Sequence, residues 1–153
     1  MERLRFTTST PINAAVENTF DWVSNDRLKK LWMEGLVDIT YNGTNGSLQE
    51  QHFIYKVKEG RTIQEYTGKY LSIEKYSLIA FRLSDSKKVM DMYYQFEPLS
   101  EQTTMVHTEI DIEFSDELTK FVGYSMKWFT KRSLLRNIQN LKQCIETGNT
   151  YPV

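Results

Sequence analysis

From Leu36 to Phe114 the chain alternates apolar and polar residues with a period of two, interrupted by clusters of turn-forming residues. That period belongs to β-strands. The clusters are Asn42-Gly43-Thr44-Asn45-Gly46, Lys58-Glu59-Gly60, Glu74-Lys75, Asp85-Ser86 and the run from Pro98 to Gln102. Each is rich in residues whose side chains or backbone freedom suit tight turns. Six strands are therefore expected here, and connections this short make neighbours antiparallel. Such a sheet must cover its apolar face with another element.

The flanking sequence supplies the cover. Leu4 and Phe6 alternate with Arg3, Arg5 and Thr7, a first strand over residues 3–9. Thr10 reads as a helix N-cap and Pro11 as the first helical position, where its missing N–H costs nothing. Val16, Phe20 and Val23 continue that helix over 11–23. Ser24 or Asn25 caps a second short helix carrying Leu28, Leu31 and Trp32, with Gly35 as its stop. After the strands, Ser115 reads as a cap with Asp116 and Glu117 in the first turn. Leu118, Phe121, Val122, Ser125, Trp128, Phe129, Leu135, Ile138, Leu141 and Ile145 then follow helical spacing as one buried stripe. Lys127, Lys131, Arg136 and Lys142 fall off that stripe, and Gly148 ends it. At ~1.5 Å per residue such a helix is roughly 45 Å long and crosses the whole sheet.

The expected fold is α+β: a seven-stranded curved antiparallel sheet wrapped around a long C-terminal helix, with two short helices between strands 1 and 2. One domain over 1–148 is expected, with 149–153 as a flexible tail. One helix does not cover seven strands unless the sheet curls around it, and a curled sheet tends to leave a gap beneath the helix. Alternation assigns Val37, Ile39 and Tyr41, then Phe53, Tyr55 and Val57, to the inner face. It continues with Ile79, Phe81 and Leu83, then Met90, Met92, Tyr94 and Phe96, then Val106, Thr108, Ile110 and Ile112. Residues 61–74 stay ambiguous, because Tyr66 and Tyr70 oppose Leu71 and Ile73 unless a bulge near Gly68 shifts the register.

Three segments carry a family resemblance. Thr10-Pro11-Ile12-Asn13-Ala14-Ala15-Val16-Glu17-Asn18-Thr19-Phe20 resembles an opening in which a strand runs into a Pro-led helix. Leu28 to Trp32 resembles a leucine–tryptophan second helix, and Leu141-Lys142-Gln143-Cys144-Ile145-Glu146 resembles the close of a final helix. Together with the element order, they resemble the START-like superfamily, also called the helix-grip or birch-pollen-allergen-like fold. Within it, the chain is similar to the SRPBCC group of polyketide cyclase/dehydrase-like and lipid-transport proteins. The resemblance implies a cavity between sheet and helix that holds a hydrophobic small molecule, and it places Trp32 near the mouth.

Composition narrows the function. The 153 residues are 40% hydrophobic and 25% charged, with 19 Lys+Arg against 20 Asp+Glu. That balance gives no overall pull toward nucleic acid or anionic lipid. The single Cys144 excludes a disulfide framework and a multi-cysteine zinc site. The sequence shows no secretion-signal pattern and no spanning segment, so cytoplasmic localisation is expected. Aromatic residues reach 13%, and those on the inner face suit a flat, greasy ligand that tyrosine hydroxyls would orient. The expected ligand-binding residues are Trp32, Phe53, Tyr55, Phe81, Met92, Tyr94, Thr108, Phe121, Ser125 and Trp128. The same side chains would equally serve as a filled core.

Catalysis has little support in the sequence. His52 and His107 have outward parity, and Cys144 reads as a small buried residue. Glu109, Asp111 and Glu113 share an outer strand face and read as a solvated row opposite basic neighbours. Arg82 and Arg132 are candidates for holding an acidic head group at a cavity rim, but outer-face positions suit both. The expectation is non-covalent binding of a lipid-, polyketide- or isoprenoid-like molecule, with no metal and no cofactor. No nucleic acid and no membrane insertion are expected, and the protein would be a monomer or homodimer. The alternatives are a cyclase/aromatase-type enzyme using cavity tyrosines, or a chaperone-cofactor-like protein-interaction module.

Overall fold

The structure, a computed structural model, describes residues 3–42, 52–115 and 127–148. Seven strands form one antiparallel sheet: β1 (Arg3–Ile12), β2 (Leu36–Asn42), β3 (His52–Glu59), β4 (Thr62–Glu74), β5 (Leu78–Ser84), β6 (Lys88–Ser100) and β7 (Thr103–Phe114). Two short helices, α1 (Val16–Ser24) and α2 (Asp26–Trp32), separate β1 from β2, and α3 is described over Lys127–Thr147. The spatial order is β1-β7-β6-β5-β4-β3-β2. Strands β2 to β7 form a meander, and β1 joins its far edge beside β7, so the first two strands lie at opposite edges. The sheet curves around the helices, which is the helix-grip architecture expected from the sequence.

Alternation places most of the core correctly. Phe53, Tyr55, Phe81, Met92, Tyr94, Val106 and Ile110 are all buried on the inner face. Asn25 caps α2 as expected, its side chain accepting from the amides of Arg27 and Leu28. Gly148 adopts φ +68 at the end of α3, and its amide donates to the carbonyl of Cys144.

Four local expectations are corrected. Thr10 and Pro11 do not open a helix: β1 runs through Pro11, which sits opposite Met105, and α1 starts only at Val16 after the uncapped Ala15. An edge strand tolerates proline because one side of its backbone has no ladder partner. Second, Val37 is exposed, because a bulge between Leu36 and Asp38 turns it outward and leaves Leu36 buried. Third, Tyr66 and Tyr70 are both buried, and the register shift falls between Tyr70 and Ser72 instead of at Gly68. Leu71 is the extra residue and points out, which returns Ile73 to the core.

The fourth correction concerns α3. Its buried stripe is Leu134, Ile138, Leu141 and Ile145, joined by Asn140 and Cys144. Leu135 lies one residue off that stripe and is exposed, as are Trp128 and Phe129. Leu118, Phe121, Val122 and Ser125, with the expected first turn at Asp116 and Glu117, lie outside the described residues. So do residues 43–46 of the first expected turn and the tail over 149–153. The hydroxyl of Ser115, read as a helix cap, lies within hydrogen-bond distance of the carbonyls of Ser86 and Lys87. The middle of α3 is tied to α2 and the loop after it: Asn140 donates to the Trp32 carbonyl, and Arg136 pairs with Glu34 at 2.8 Å.

Candidate binding site

The concave face is a continuous aromatic wall built by strand register. Phe53 lies opposite Gly68, Tyr70 opposite Phe81, Phe81 opposite Met92, and Tyr94 opposite Thr108. The rings meet along and across the strands: Phe53 and Tyr55, two apart on β3, have centroids 5.1 Å apart, as do the diagonal pair Phe53 and Tyr70, and Phe81 stacks on its diagonal neighbour Tyr94 at 6.2 Å. Gly68 is required by this packing. A Cβ there would stand 2.1 Å from the Phe53 ring.

Into this wall α2 inserts a charge that the sequence reading missed. Lys29 is 1% exposed. Its Nζ donates to the hydroxyls of Tyr55 at 3.1 Å and Tyr70 at 3.2 Å, and lies 5.3 Å from the Phe81 ring centroid. Asp26, one turn earlier on the same helix, places Oδ1 at 3.5 Å from Nζ, while its Oδ2 accepts from the Tyr41 hydroxyl. Leu28, Leu31 and Trp32 carry the apolar spacing of α2, and that spacing does not single out Lys29. The available signal was weak: Asp26 and Lys29 are three residues apart, and Lys29 and Trp32 three more. That spacing shares a helix face without saying which face is buried.

The hydroxyls around Lys29 are held neutral. Burial pushes Tyr55 and Tyr94 well above the usual tyrosine value, and for Tyr55 the nearby Asp26 charge adds to it. Burial is also the first cause for Tyr41, followed by its hydrogen bond to Asp26. For Tyr70 burial raises the value while the Lys29 charge pulls it back, leaving it raised. All four are therefore O–H donors at neutral pH. Two buried oxygens in this interior, Asp26 Oδ1 and Thr108 Oγ1, have no hydrogen-bond partner among the described residues. The ammonium spends two of its three N–H groups on phenols, and its third meets Asp26 as an ion pair without a hydrogen bond.

The other expected residues divide clearly. Trp32 is buried, donates its indole N–H to the Trp22 carbonyl at 2.9 Å, and packs edge-on against Tyr94. That is a fixed packing position. Trp128 does not join the wall: it is 61% exposed, with the Arg132 guanidinium 5.1 Å from its ring. Phe121 and Ser125 lie outside the described residues. Arg82 is on the outer face, bonded twice to Asp91. His52 is exposed, and His107 bridges Ser9 and Glu97 on the outer face. Glu113 and Asp111 meet Arg3 and Arg5 of the neighbouring strand, as the charge pattern predicted. Cys144 is buried, which pushes its thiol up and away from the reactive thiolate. Among the described residues no cluster of His, Cys, Asp and Glu could hold a metal ion, and no helix is long and apolar enough to cross a membrane. A separate cleft of about 440 Å³ opens between α1 and the β4–β5 turn, lined by Glu17, Asp21, Lys75 and Tyr76 among others.

Comparison with known structures identifies the architecture. A conserved protein from Geobacillus kaustophilus superposes with a TM-score of 0.74 at 9% identity, covering 97% of this chain and 100% of its own. The Zhui aromatase/cyclase from Streptomyces sp. R1128 gives 0.71 at 8% identity, covering 97% and 99%. A norcoclaurine synthase point mutant from Thalictrum flavum gives 0.70 at 9% identity, covering 96% of each chain. At such identities the likeness is one of fold. No curated protein sequence matches the chain. The family model described as polyketide cyclase / dehydrase and lipid transport matches residues 3–146, and the chain belongs to that family.

Proposed function

We propose that this protein binds a hydrophobic or aromatic small molecule against the concave aromatic wall, without a covalent bond. The observation that carries this reading is Lys29, a buried ammonium inside an otherwise aromatic interior. Burying a lysine is costly, and an apolar side chain of the same length would pack there with less penalty. Its placement makes sense as ligand chemistry. Tyr55 and Tyr70 accept from Lys29, so each hydroxyl is polarised and keeps its own O–H to give to an acceptor. A ligand oxygen, such as a ketone or phenol oxygen, suits that pair, while the rings of Phe53, Phe81 and Tyr94 bury its carbon skeleton. Affinity would come chiefly from apolar burial, at ~25 cal/mol per Å² before the costs of association.

A second reading uses the same groups for chemistry. Neutral tyrosines beside a cation can donate a proton to a carbonyl oxygen, and the unbonded Asp26 Oδ1 can accept one. The family contains cyclases and dehydrases by description, so turnover of a ketone substrate would convert the binding reading into the enzymatic one.

The test uses a neutral naphthyl ketone whose fluorescence rises in apolar surroundings. Wild-type protein is expected to enhance it saturably. Lys29→Met, which removes the charge and keeps the volume, should weaken binding about tenfold by loss of a charged hydrogen-bond donor. Tyr94→Ala should weaken it further, and His107→Ala should leave it unchanged. No enhancement, or equal enhancement by all four proteins, would defeat the proposal.

A further inference from the structure

The first two described turns of α3 present a face that is exposed and that no other described element packs against. From Lys127 to Ser133, six of seven residues are exposed, Thr130 being half-buried, and the helix joins the core only at Leu134. Trp128 is 61%, Phe129 54% and Leu135 41% exposed. Trp128, Arg132 and Leu135 are spaced i, i+4 and i+7 and share one flank of the helix, while Lys127 and Lys131, seven and three residues before Leu134, continue the line of the buried stripe where its residues are exposed. Trp128 and Phe129 rings meet at 5.1 Å, and Arg132 lies over Trp128. Two large aromatics and a leucine displayed together are unlike scattered surface apolar residues.

Charge decides what such a face suits. The chain as a whole carries a net charge of -1, yet from Lys127 to Ile145 it has no acidic residue and five basic ones. Two of the five are committed: Arg136 to Glu34 and Lys142 to Glu146. Lys127 and Lys131 make no ion pair among the described residues, and Arg132 engages the Trp128 ring. Among the described residues, no carboxylate therefore competes with an external anion for the three cations nearest the exposed aromatics. Aromatic and aliphatic side chains beside long basic ones match an interface with an apolar interior below a layer of anionic head groups. An acidic protein surface would match the charges as well, since tryptophan and arginine also anchor protein interfaces, and it is the occupant favoured if anionic vesicles are not bound.

From this pattern we infer that the exposed flank of α3 docks the protein on anionic membrane surfaces, peripherally, with Trp128 and Leu135 entering the head-group boundary and Lys127, Lys131 and Arg132 meeting lipid phosphates. The inference does not depend on the concave site, and each stands or falls alone. The full chain is sedimented with vesicles of phosphatidylcholine and of phosphatidylcholine mixed with phosphatidylglycerol. Binding is expected to the anionic vesicles and to fall as salt rises from about 0.05 to 0.5 M, where screening shortens to a few ångströms. Trp128→Ser/Leu135→Ser and Lys127→Ala/Lys131→Ala are each expected to weaken it roughly tenfold or more, at ~1 kcal/mol per basic residue and somewhat more for the apolar pair. These positions are exposed, so circular dichroism should show both variants folded. Ile63→Ser, which removes an apolar side chain 58% exposed on β4, should bind like wild type. Failure to bind anionic vesicles, equal binding to neutral ones, or full binding by both double variants overturns the inference.

Discussion

The two faces of the sheet bury charge in opposite ways. On the convex face Asp91 and Asp111 stand opposite each other across β6 and β7, each 6% exposed. Like charges so placed repel, and each is answered by a guanidinium. Arg82 bonds Asp91 at 2.7 and 3.0 Å, and Arg5 bonds Asp111 at 2.8 Å. The arginines reach these sites from solvent, so their own desolvation is slight. On the concave face the buried charge is a cation, and two phenols meet it more closely than its carboxylate does. The convex pairs complete their own hydrogen bonding, whereas the Lys29 site holds donors and an acceptor beyond what the fold uses. The concave cluster thus keeps hydrogen-bonding capacity that the convex pairs have already spent.

Removing partners should break the comparison in a measurable order. Lys29→Ala is expected to have the largest effect, a loss of ~3 kcal/mol in urea unfolding, because it leaves a cavity among rings and strips Asp26 of its counter-charge. Replacing both members tells more. Lys29→Met/Asp26→Asn should be as stable as wild type or more so, since the interior no longer holds a desolvated ion. Arg82→Met/Asp91→Asn on the convex face should lose about 1 kcal/mol or less, the usual range for a half-exposed pair. If the concave double variant is the less stable of the two, Lys29 is there for stability and the binding argument weakens.

A smaller effect tests how tightly the concave wall is built. Gly68→Ala places a methyl 2.1 Å from the Phe53 ring, which is held by Tyr55 and Tyr70 at 5.1 Å and has little room to yield. A loss of ~2 kcal/mol is expected, with part of it restored by Phe53→Leu in the same chain. Full tolerance of Gly68→Ala would show that the wall is loose and adaptable.

What the sequence disclosed follows from how local each signal is. Strand parity, turn positions and the Asn25 cap depend on residues close in the chain; the cap, the turns after β3, β4, β5 and β6 and most of the parity are in the structure, while residues 43–46 lie outside the described residues. The bulge at Val37 was invisible and the one at Leu71 was sensed only as an ambiguity near Gly68, because a one-residue insertion is set by the partner strand. Helix faces were legible to within one residue: Ile138, Leu141 and Ile145 were placed inward correctly, but Leu134 and Leu135 exchanged roles. The candidate site was half legible. Phe53, Tyr55, Phe81, Met92, Tyr94 and Thr108 follow from parity, whereas Lys29 is a charged residue inside, against every average, and no local pattern announces that. Trp128 failed for the complementary reason: an aromatic at helical spacing reads as core, and nothing in the spacing says that α3 has left the sheet at that point.

The smallest expected effect is spectroscopic and concerns the neutrality of the concave phenols. Tyr55 and Tyr94 are raised chiefly by burial, so their folded-state values lie above the ordinary value of about 10. Below that pH both folded and unfolded chains keep these protons, and the groups leave stability unchanged. Above it the unfolded chain releases them while the folded one does not, so the folded state binds more protons and stability falls as pH rises. The urea midpoint should drop between about pH 9 and 11, and Tyr55→Phe should make that drop shallower. In the same range tyrosinate absorbance should grow in two stages, the later one coinciding with loss of near-ultraviolet dichroism. If all nine tyrosines ionise together while the dichroism is intact, water already reaches Lys29 and its phenols, and the concave face is no drier than the convex one.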